Sequence, residues 1–577
     1  MLHGAIRMLV PEKRGSRLID LAIFGAVVAL IYGVTAAALS WLKPVGEHVE
    51  ISLAPRALPA YAGYSLLRLA VAYLLSLLFA LVYGYVAAYH ARAERIMIPL
   101  LDVLQSIPVL SFLPGVMLAM VALFPTRQLG VELGSIILIF TGQVWNLAFS
   151  FYASLKSIPR ELREAATVYR FNRWQRLVEL ELPYAAIGLI WNSMMSVAGG
   201  WFFLMACEMF VLGGRDFRLP GLGAYLQTAA DAGDTRAILW GLATMIGTIV
   251  LLDQLLWRPL IAWADKFKFE QVESATAPRS AVLDLLRSSR ALAQLNRNVL
   301  RPVGERVDLF FARRAKARAA SSKAERSAVA RRVEDLFLAL IIALILYGVW
   351  RAALTLSTLT AVEAKLLVRS AAATLSRVAA ALAIGVLWTV PVGVWIGLRP
   401  RVARFAQPLA QIAASIPATA LFPVVLLALI RWGGGINIGA VALMLLGTQW
   451  YILFNVIAGA VAIPNDLLEV ATLFGFGRVE RWRLLILPAI FPYLVTGLVT
   501  AAGGAWNASI VAEYFRFKGE TLMTTGLGAT ISRATDEGNF DLLLVSTLTM
   551  ILMVVLINRL VWRRLYKLAA TKFKLEG

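Results

Sequence analysis

Long apolar stretches alternate with short polar ones along almost the whole chain. LIDLAIFGAVVALIYGVTAAALSWL and FLALIIALILYGVWRAAL are examples. Runs of this length are enough, or nearly enough, to cross roughly 30 Å of hydrocarbon as helices. They lack the alternation of strands, and lipid leaves backbone groups no partners outside a helix or a closed barrel. The pattern predicts an all-α polytopic membrane protein with six spans in each of two halves. In the first half these fall near residues 18–42, 65–89, 98–124, 131–155, 184–212 and 237–262. In the second they fall near 336–356, 374–398, 405–430, 436–461, 489–515 and 541–563. SIPVLSFLP and SIPATALFP put two prolines in the third span of each half, where they are expected to break or kink the helix.

Composition supports this reading. Of 577 residues, 59% are hydrophobic and 16% charged, and mean hydropathy is +0.73, more apolar surface than a soluble core needs. The net charge of +21 raises the question of nucleic acid. Lys and Arg gather between the spans, however, where the positive-inside rule and anionic lipid headgroups account for them, so no nucleic-acid partner is expected. Cys207 is the one cysteine, which excludes an internal disulfide, and His3, His48 and His90 form no metal-site spacing. The first apolar run lacks a small-residue cleavage site and reads as a retained span. Arg7, Lys13, Arg14 and Arg17 at one end, and Arg563, Arg564, Lys567, Lys572 and Lys574 at the other, place both termini in the cytoplasm, as about twelve spans allow.

The two halves repeat each other. Glu164 and Glu469, Pro183 and Pro488, Trp145 and Trp450, and Glu208 and Glu513 are each 305 residues apart. The same shift relates the GLGA of 221–224 to that of 526–529, Asp231 to Asp536, and Trp257 to Trp562. Upstream the shift becomes 309, relating Arg68 to Arg377, Gly84 to Gly393, Pro108 to Pro417 and Pro114 to Pro423. The halves are therefore duplicated in one orientation, related by an axis along the membrane normal. The expected division is a first transmembrane domain over 1–263, a basic cytoplasmic linker over 264–334 and a second transmembrane domain over 335–577. Parts of the linker, such as AVLDLLRSSRALAQLNRNVL, have helical periodicity with apolar and basic faces. A membrane-surface helix or partner-docking site is one reading, and a solvated connector is preferred.

Between the fourth and fifth spans each half carries a charged excursion. EAATVYRFNRWQRLVELELP occupies 164–183 and EVATLFGFGRVERWRLLILP occupies 469–488. Pro159 begins a short helix ending near Arg170, and its counterpart ends on Gly475, which suits a C-cap. A second short amphipathic helix is expected in each, with Pro183 or Pro488 in the first turn of the next span. A short helix projecting from a bundle cannot bury its apolar face alone, so it calls for a soluble partner.

Glu-Ala-Ala, three residues, a glycine position, then an aliphatic-x-Leu-Pro ending resembles the loop of permease subunits in binding-protein-dependent ABC importers. WFFLMACEMF and WNASIVAEYF, each followed by GLGA, resemble the nitrate/sulfonate/taurine branch. The resemblance covers both halves and implies a duplicated, fused permease of the type I ABC importer fold, in a bacterial inner membrane. It implies that Glu164, Ala165, Ala166, Arg170, Leu182 and Pro183, with Glu469, Val470, Ala471, Gly475, Leu487 and Pro488, form loops that dock into two ATPase subunits, identical or different. An extracytoplasmic binding protein would deliver a small solute, such as nitrate, a sulfonate or bicarbonate. There are two departures: Arg170 stands where glycine is expected, and Val470 where the middle alanine is. Arginine adopts a left-handed cap less cheaply than glycine, so the first loop is expected to turn differently. No G-x-x-x-x-G-K-[ST] occurs, so this chain binds no cofactor of its own, and ATP and Mg belong to the partner chains.

Glu208 and Glu513 lie in the fifth spans. A charge at the bilayer centre costs roughly 2.5–3.5 kcal/mol, so each needs a partner or water. Continuous helix from Pro183 carries Glu208 about 37 Å, to the outer end, unless the glycines at 199–200 and 503–504 interrupt it. Arg68 and Arg377 enter at a compatible level, predicting structural ion pairs Arg68–Glu208 and Arg377–Glu513. Trp145, Gly199, Trp201, Glu208, Trp450, Gly504, Trp506 and Glu513 are candidates for a translocation pathway. An ion-driven secondary carrier with two parallel repeats is the alternative, but it has no use for doubled docking loops. A membrane enzyme lacks support, because no nucleophile, base or metal set converges.

Overall fold

The computed structural model describes residues 50–212, 215–267, 280–320, 360–431, 435–517 and 520–572, with isolated positions between 20 and 41 and between 336 and 354. The expected spans 18–42 and 336–356 lie outside these described residues. The first half contains α1 (Leu58–Tyr89), α2 (Ala91–Ser106), α3 (Leu113–Leu123), α4 (Leu129–Ser157), α5 (Arg160–Val168), α6 (Arg173–Glu208), α7 (Leu222–Asp231) and α8 (Thr235–Ala264). Connecting helical segments follow, α9 (Ala281–Arg287), then α10 (Arg290–Leu295) running through a π turn, Asn296–Leu300, into α11 (Arg301–Ala320). The second half repeats the first as α12 (Ala361–Gly397), α13 (Pro400–Ser415), α14 (Ala418–Arg431), α15 (Ile436–Val461), α16 (Asn465–Leu473), α17 (Arg478–Ala512), α18 (Leu527–Glu537) and α19 (Phe540–Ala569). Among the described residues, eight helices are long and apolar enough to cross a membrane. The chain is a multi-pass helical membrane protein.

The third span is broken in both halves, and proline chemistry explains it. Ile107 and Ile416, each preceding a proline, sit in extended conformation, because the proline ring disfavours the helical region for its predecessor. At this point the axes of α13 and α14 diverge by 87°. The fifth spans differ from expectation. No separate second short helix stands before Pro183 or Pro488; α6 and α17 run continuously from Arg173 and Arg478. Each passes through a π-helical turn, Leu177–Glu181 or Arg481–Ile486, just before its proline. A proline lacks an N–H and crowds the carbonyl four residues back, and the widened turn accommodates both without ending the helix.

In each half the fourth-span helix packs between the other two long helices, α4 between α1 and α6, and α15 between α12 and α17. Gly84 and Gly393 permit these approaches: a Cβ would fall 2.9 Å from a Phe151 ring carbon at the first and 2.8 Å from Val456 at the second. The broken third spans reach across the molecule. α13 and α14 lie against α6, while the turn before α3 lies against α17. The Leu110 amide donates to Asn507 Oδ1 at 3.4 Å, and Thr547 Oγ1 to the Ser111 carbonyl at 3.1 Å, joining the halves.

At the end of the bundle opposite α5 and α16, each half is locked by a buried carboxylate. Helix continues through Gly199–Gly200 and Gly503–Gly504, so Glu208 and Glu513 arrive at the far ends of their spans. Glu208 Oε1 accepts from Arg68 Nη1 at 2.8 Å and Ser65 Oγ at 2.7 Å, and Oε2 accepts from the Gly223 amide at 2.7 Å. Glu513 repeats this with Arg377 Nη1 at 2.8 Å, Thr374 Oγ1 at 2.9 Å and the Gly528 amide at 2.9 Å. Both carboxylates thus sit at the N-terminus of the following helix, where free N–H groups and the helix dipole favour an anion. This explains the GLGA that follows each glutamate. A Cβ on Gly221 or Gly526 would overlap the glutamate carboxylate itself.

The sequence reading missed Glu132, whose carboxylate holds Arg68 through Nε at 2.6 Å and Nη2 at 2.8 Å. Its counterpart at the 305-residue shift is Asn437, which accepts from Arg377 Nη2 at 2.8 Å. Arg68 therefore serves two buried carboxylates and Arg377 one. Removing one partner of a buried pair costs about 3–5 kcal/mol, because a charge is left without compensation. Arg68→Leu should lower the thermal unfolding temperature of the purified protein more than Arg377→Leu, since it strands two carboxylates. Gly526→Ala should destabilise by about 2–3 kcal/mol, because Glu513 must leave its site, whereas Gly115→Ala, where a Cβ meets nothing within 4 Å, serves as the neutral control.

Candidate functional site

Two features could carry function: the paired short helices α5 and α16 at one end, and a cavity between the halves at the other. α5 starts after Pro159 and α16 after Pro464. Their exits are superimposable in hydrogen bonding. The Phe171 amide donates to the Ala166 carbonyl at 2.9 Å, and the Arg170 amide to that of Thr167 at 3.0 Å. In the second loop Phe476 donates to Ala471 at 3.0 Å, and Gly475 to Thr472 at 3.0 Å. This is the helix ending that places its last residue in the left-handed region. Gly475 has φ of 69° and Arg170 has φ of 53°. The first loop therefore does not turn differently, contrary to expectation. Arginine accepts the left-handed conformation, at a cost of roughly 1–2 kcal/mol, because the two terminal hydrogen bonds require it.

The faces of the two helices divide alike. Ala166 and Ala471 are buried and seat the helix on the bundle, while Glu164 and Glu469 face outward. Ala165 is half-buried, and its counterpart Val470 is exposed. At the tips Val168 is 79% exposed, Tyr169 75%, Leu473 85% and Phe474 77%. Among the described residues, these two pairs of large apolar side chains at the ends of short helices have no partner covering them. Leu182 and Pro183 are half-buried at the start of the straight part of α6; Leu487 and Pro488 hold the same place in α17.

Side-chain anchoring distinguishes the loops. Buried Glu181 accepts from Arg176 Nε at 2.7 Å and from the Tyr89 hydroxyl at 2.5 Å, and the Arg176 guanidinium stacks 4.7 Å from the Tyr89 ring. Trp174 Nε1 donates to Asp308 Oδ1 at 2.8 Å, and its ring stacks on Phe311 at 4.4 Å. The segment expected to be a solvated connector thus supplies a helix that packs on the first loop. The counterparts of Glu181 and Trp174 are Ile486, which is buried, and Val479, which is exposed.

The cavity holds about 410 Å³ and opens between α7 and β3 at the carboxylate-locked end. β1 (Val211–Leu212) and β2 (Arg215–Asp216) form one antiparallel hairpin there, and β3 (Tyr514–Phe517) and β4 (Glu520–Met523) the other. Phe210, Ile510 and Phe515 contribute apolar walls, and Arg218, Gln227, Asp231, Tyr514, Arg516 and Asp536 contribute polar ones. Arg516 Nη2 and the Tyr514 hydroxyl both donate to Asp536 Oδ2 at 2.6 Å. Gln227 Nε2 donates to Asp231 Oδ1 at 3.0 Å and across the halves to the Arg516 carbonyl at 3.1 Å. Burial pushes the Asp231 carboxyl above its ordinary value, against the opposing pull of Gln227, Arg218 and Arg516.

None of the sequence-derived pathway candidates lines this cavity. Glu208 and Glu513 are fully engaged in their locks. Trp201 and Trp506 are buried in the packed core; Trp506 also borders an apolar groove of about 500 Å³ between α12 and α17. Trp145 is half-buried beside Ala80 and Ala148, and Trp450 meets Trp388 edge-on at 6.4 Å. Gly199 and Gly504, from different halves, both face Tyr451: a Cβ would fall 3.7 Å from its hydroxyl at the first and 3.6 Å from a ring carbon at the second. Asp231 and Asp536 were visible as repeat landmarks. Arg218 and Arg516 carried no such signal, since at the 305-residue shift they stand opposite Met523 and Val211.

Comparison with known proteins adds an independent line. The family model described as "Binding-protein-dependent transport system inner membrane component" matches twice, over residues 74–256 and 389–572. Among curated relatives, the nitrate import permease protein NrtB of Leptolyngbya laminosa is 28% identical over 157 residues, 27% of this chain and 52% of that protein. The bicarbonate transport system permease protein CmpB of Synechococcus elongatus is 31% identical over 141 residues, 24% and 49% respectively. The taurine transport system permease protein TauC of Escherichia coli is 27% identical over 163 residues, 28% and 56%. The chain spans about half the length of the curated relatives it matches. With the family model covering most of both halves, this chain belongs to the family of binding-protein-dependent transport system inner membrane components and carries the family domain twice.

Proposed function

We propose that this chain is the complete membrane passage of an ATP-driven importer for a small anion. Two ATPase subunits dock on α5 and α16 from the cytoplasm, and a binding protein delivers solute at the opposite end. The observation that carries the reading is the doubled helix-and-turn, with matched hydrogen bonds and paired exposed apolar tips, which a membrane bundle alone leaves unburied. Burying one such side chain in a partner's groove contributes about 1.5–3 kcal/mol, enough in pairs to hold a lever against its motor. ATP and Mg bind to the ATPase chains, and this chain catalyses nothing itself. The basic loops set both termini in the cytoplasm of a bacterial inner membrane.

The cavity between the halves lies on the solute's route in this reading. Arg218 and Arg516 offer guanidinium groups; Thr228 Oγ1 accepts from Arg218 Nη1 at 3.2 Å, Asp536 Oδ2 accepts from Arg516 Nη2 at 2.6 Å, and the carboxylates of Asp231 and Asp536 limit how strongly an anion is retained. The names of the relatives, covering nitrate, bicarbonate and taurine, support a small anion or anion-bearing solute. An ion-driven carrier finds less support, because the buried acids Glu132 and Glu208 are tied to Arg68 and form no open relay.

The test places charge at the tips. Tyr169→Asp with Phe474→Asp should abolish co-purification of the ATPase subunits while the thermal unfolding of the permease stays unchanged; full association and hydrolysis in the double variant would contradict the reading. Arg516→Gln should leave association intact and reduce solute uptake on the order of tenfold, the worth of one charged hydrogen bond, measured in proteoliposomes holding the assembled transporter.

A further inference from the structure

The connecting helices α9 to α11 are not suspended in solvent. Their contacts fix them at the level where three apolar stretches leave the membrane. α9 packs on the final turns of α8. There Lys266 Nζ lies 4.8 Å from the Trp263 ring and 4.5 Å from that of Phe267, an aromatic and cationic pairing typical of a membrane–water boundary. α10 is tied to Asp20, at the head of the first apolar run. Asp20 Oδ1 accepts from Ser289 Oγ at 2.6 Å and from the Ala291 amide at 3.2 Å. α11 packs on the start of α6 through Trp174, Asp308 and Phe311. Three separate anchors at three exits leave the segment lying along the bundle's end.

At that level it exposes apolar and basic side chains together. Leu285, Leu295, Val299, Val303, Leu309 and Phe310 are 47–56% exposed. Arg290, Arg297, Arg306 and Arg313 are exposed among them. Residues 281–320 carry eight Arg and one Lys against two Asp and one Glu. On α11, Arg306 and Arg313 lie between Leu309 on one side and Val303 and Phe310 on the other, by the 100° spacing of helical residues. Apolar groups that insert among acyl chains, interleaved with cations that meet phosphate, match the chemistry of an anionic leaflet.

We propose that α9–α11 form an interfacial site for anionic phospholipid, which seats the connection between the halves on the membrane surface beside the first loop. The second half has no counterpart segment among the described residues, so the site belongs to the first half alone. The inference requires only that the bundle spans a membrane, and stands apart from the docking of ATPases.

Cys207 is buried, so Phe310→Cys provides a single accessible attachment point in the full chain. With an environment-sensitive fluorophore there, the protein is placed in nanodiscs of phosphatidylcholine alone or mixed with phosphatidylglycerol. The expected result is a blue shift and quenching by nitroxide-bearing lipid in the anionic discs. Both should be reduced several-fold by high salt and lost in the Arg290, Arg297, Arg306 and Arg313→Gln variant, with the thermal unfolding temperature retained. A label equally water-exposed in both lipids would overturn the proposal. So would a label shielded only when ATPase subunits are added, which would make this face a protein contact.

Discussion

A carboxylate buried at the N-terminus of a helix is the constraint on which each half depends. Glu208 and Glu513 close the long fifth span, meet an arginine from the first described span of their half and receive the first free amides of the next helix. One side chain thereby sets the separation of three elements. Its removal takes from Arg68 one of two carboxylates and from Arg377 the carboxylate it pairs with, and leaves a buried amide at the start of the next helix without its acceptor. The requirement also propagates into sequence, since only glycine at 221 and 526 leaves the carboxylate its space. Each lock ties together the far end of the fifth span, the first described span and the following short helix in one half.

Duplication has preserved backbone more strictly than side chains. The turns after α5 and α16 share hydrogen bonds and a left-handed residue although one is arginine and the other glycine. Around that common frame the halves have diverged. The first holds an additional buried carboxylate at Glu132, a clamp of Glu181, Arg176 and Tyr89, and a ring stack from the connecting segment. The second has asparagine, isoleucine and an exposed valine at the corresponding positions. The first loop is braced on its flank, and no equivalent brace holds the second among the described residues.

The parts of this architecture that rest on local chemistry were readable in the chain. Apolar length announced the spans, prolines announced the broken third helices, and a fixed residue shift announced the repeat. The arginine–glutamate locks were also accessible, because charges in apolar helices must find partners and Arg68 and Arg377 enter their spans at a compatible level. What escaped were features that depend on three-dimensional convergence. Glu132 sits at the very start of the expected span 131–155, where a charge at the membrane boundary calls for no partner until the fold brings it against Arg68. The cavity residues Arg218 and Arg516 do not repeat, since the 305-residue register sets Met523 and Val211 opposite them. The π turns before Pro183 and Pro488 were misread as separate short helices, since a proline near a helix start and one after a widened turn leave the same mark in sequence. Trp201 and Trp506, read from the sequence as pathway candidates, are buried in the packed core, with Trp506 also bordering the groove between α12 and α17.

The central claim is that both projecting helices are levers gripped by external motors. Amide hydrogen exchange across residues 160–171 and 465–476, compared between the chain alone in nanodiscs and the chain assembled with its ATPase subunits, examines it most directly. The account predicts slowed exchange in both segments on assembly, with the braced first segment slower than the second before assembly. Exchange unchanged in both segments in the assembled transporter would contradict it.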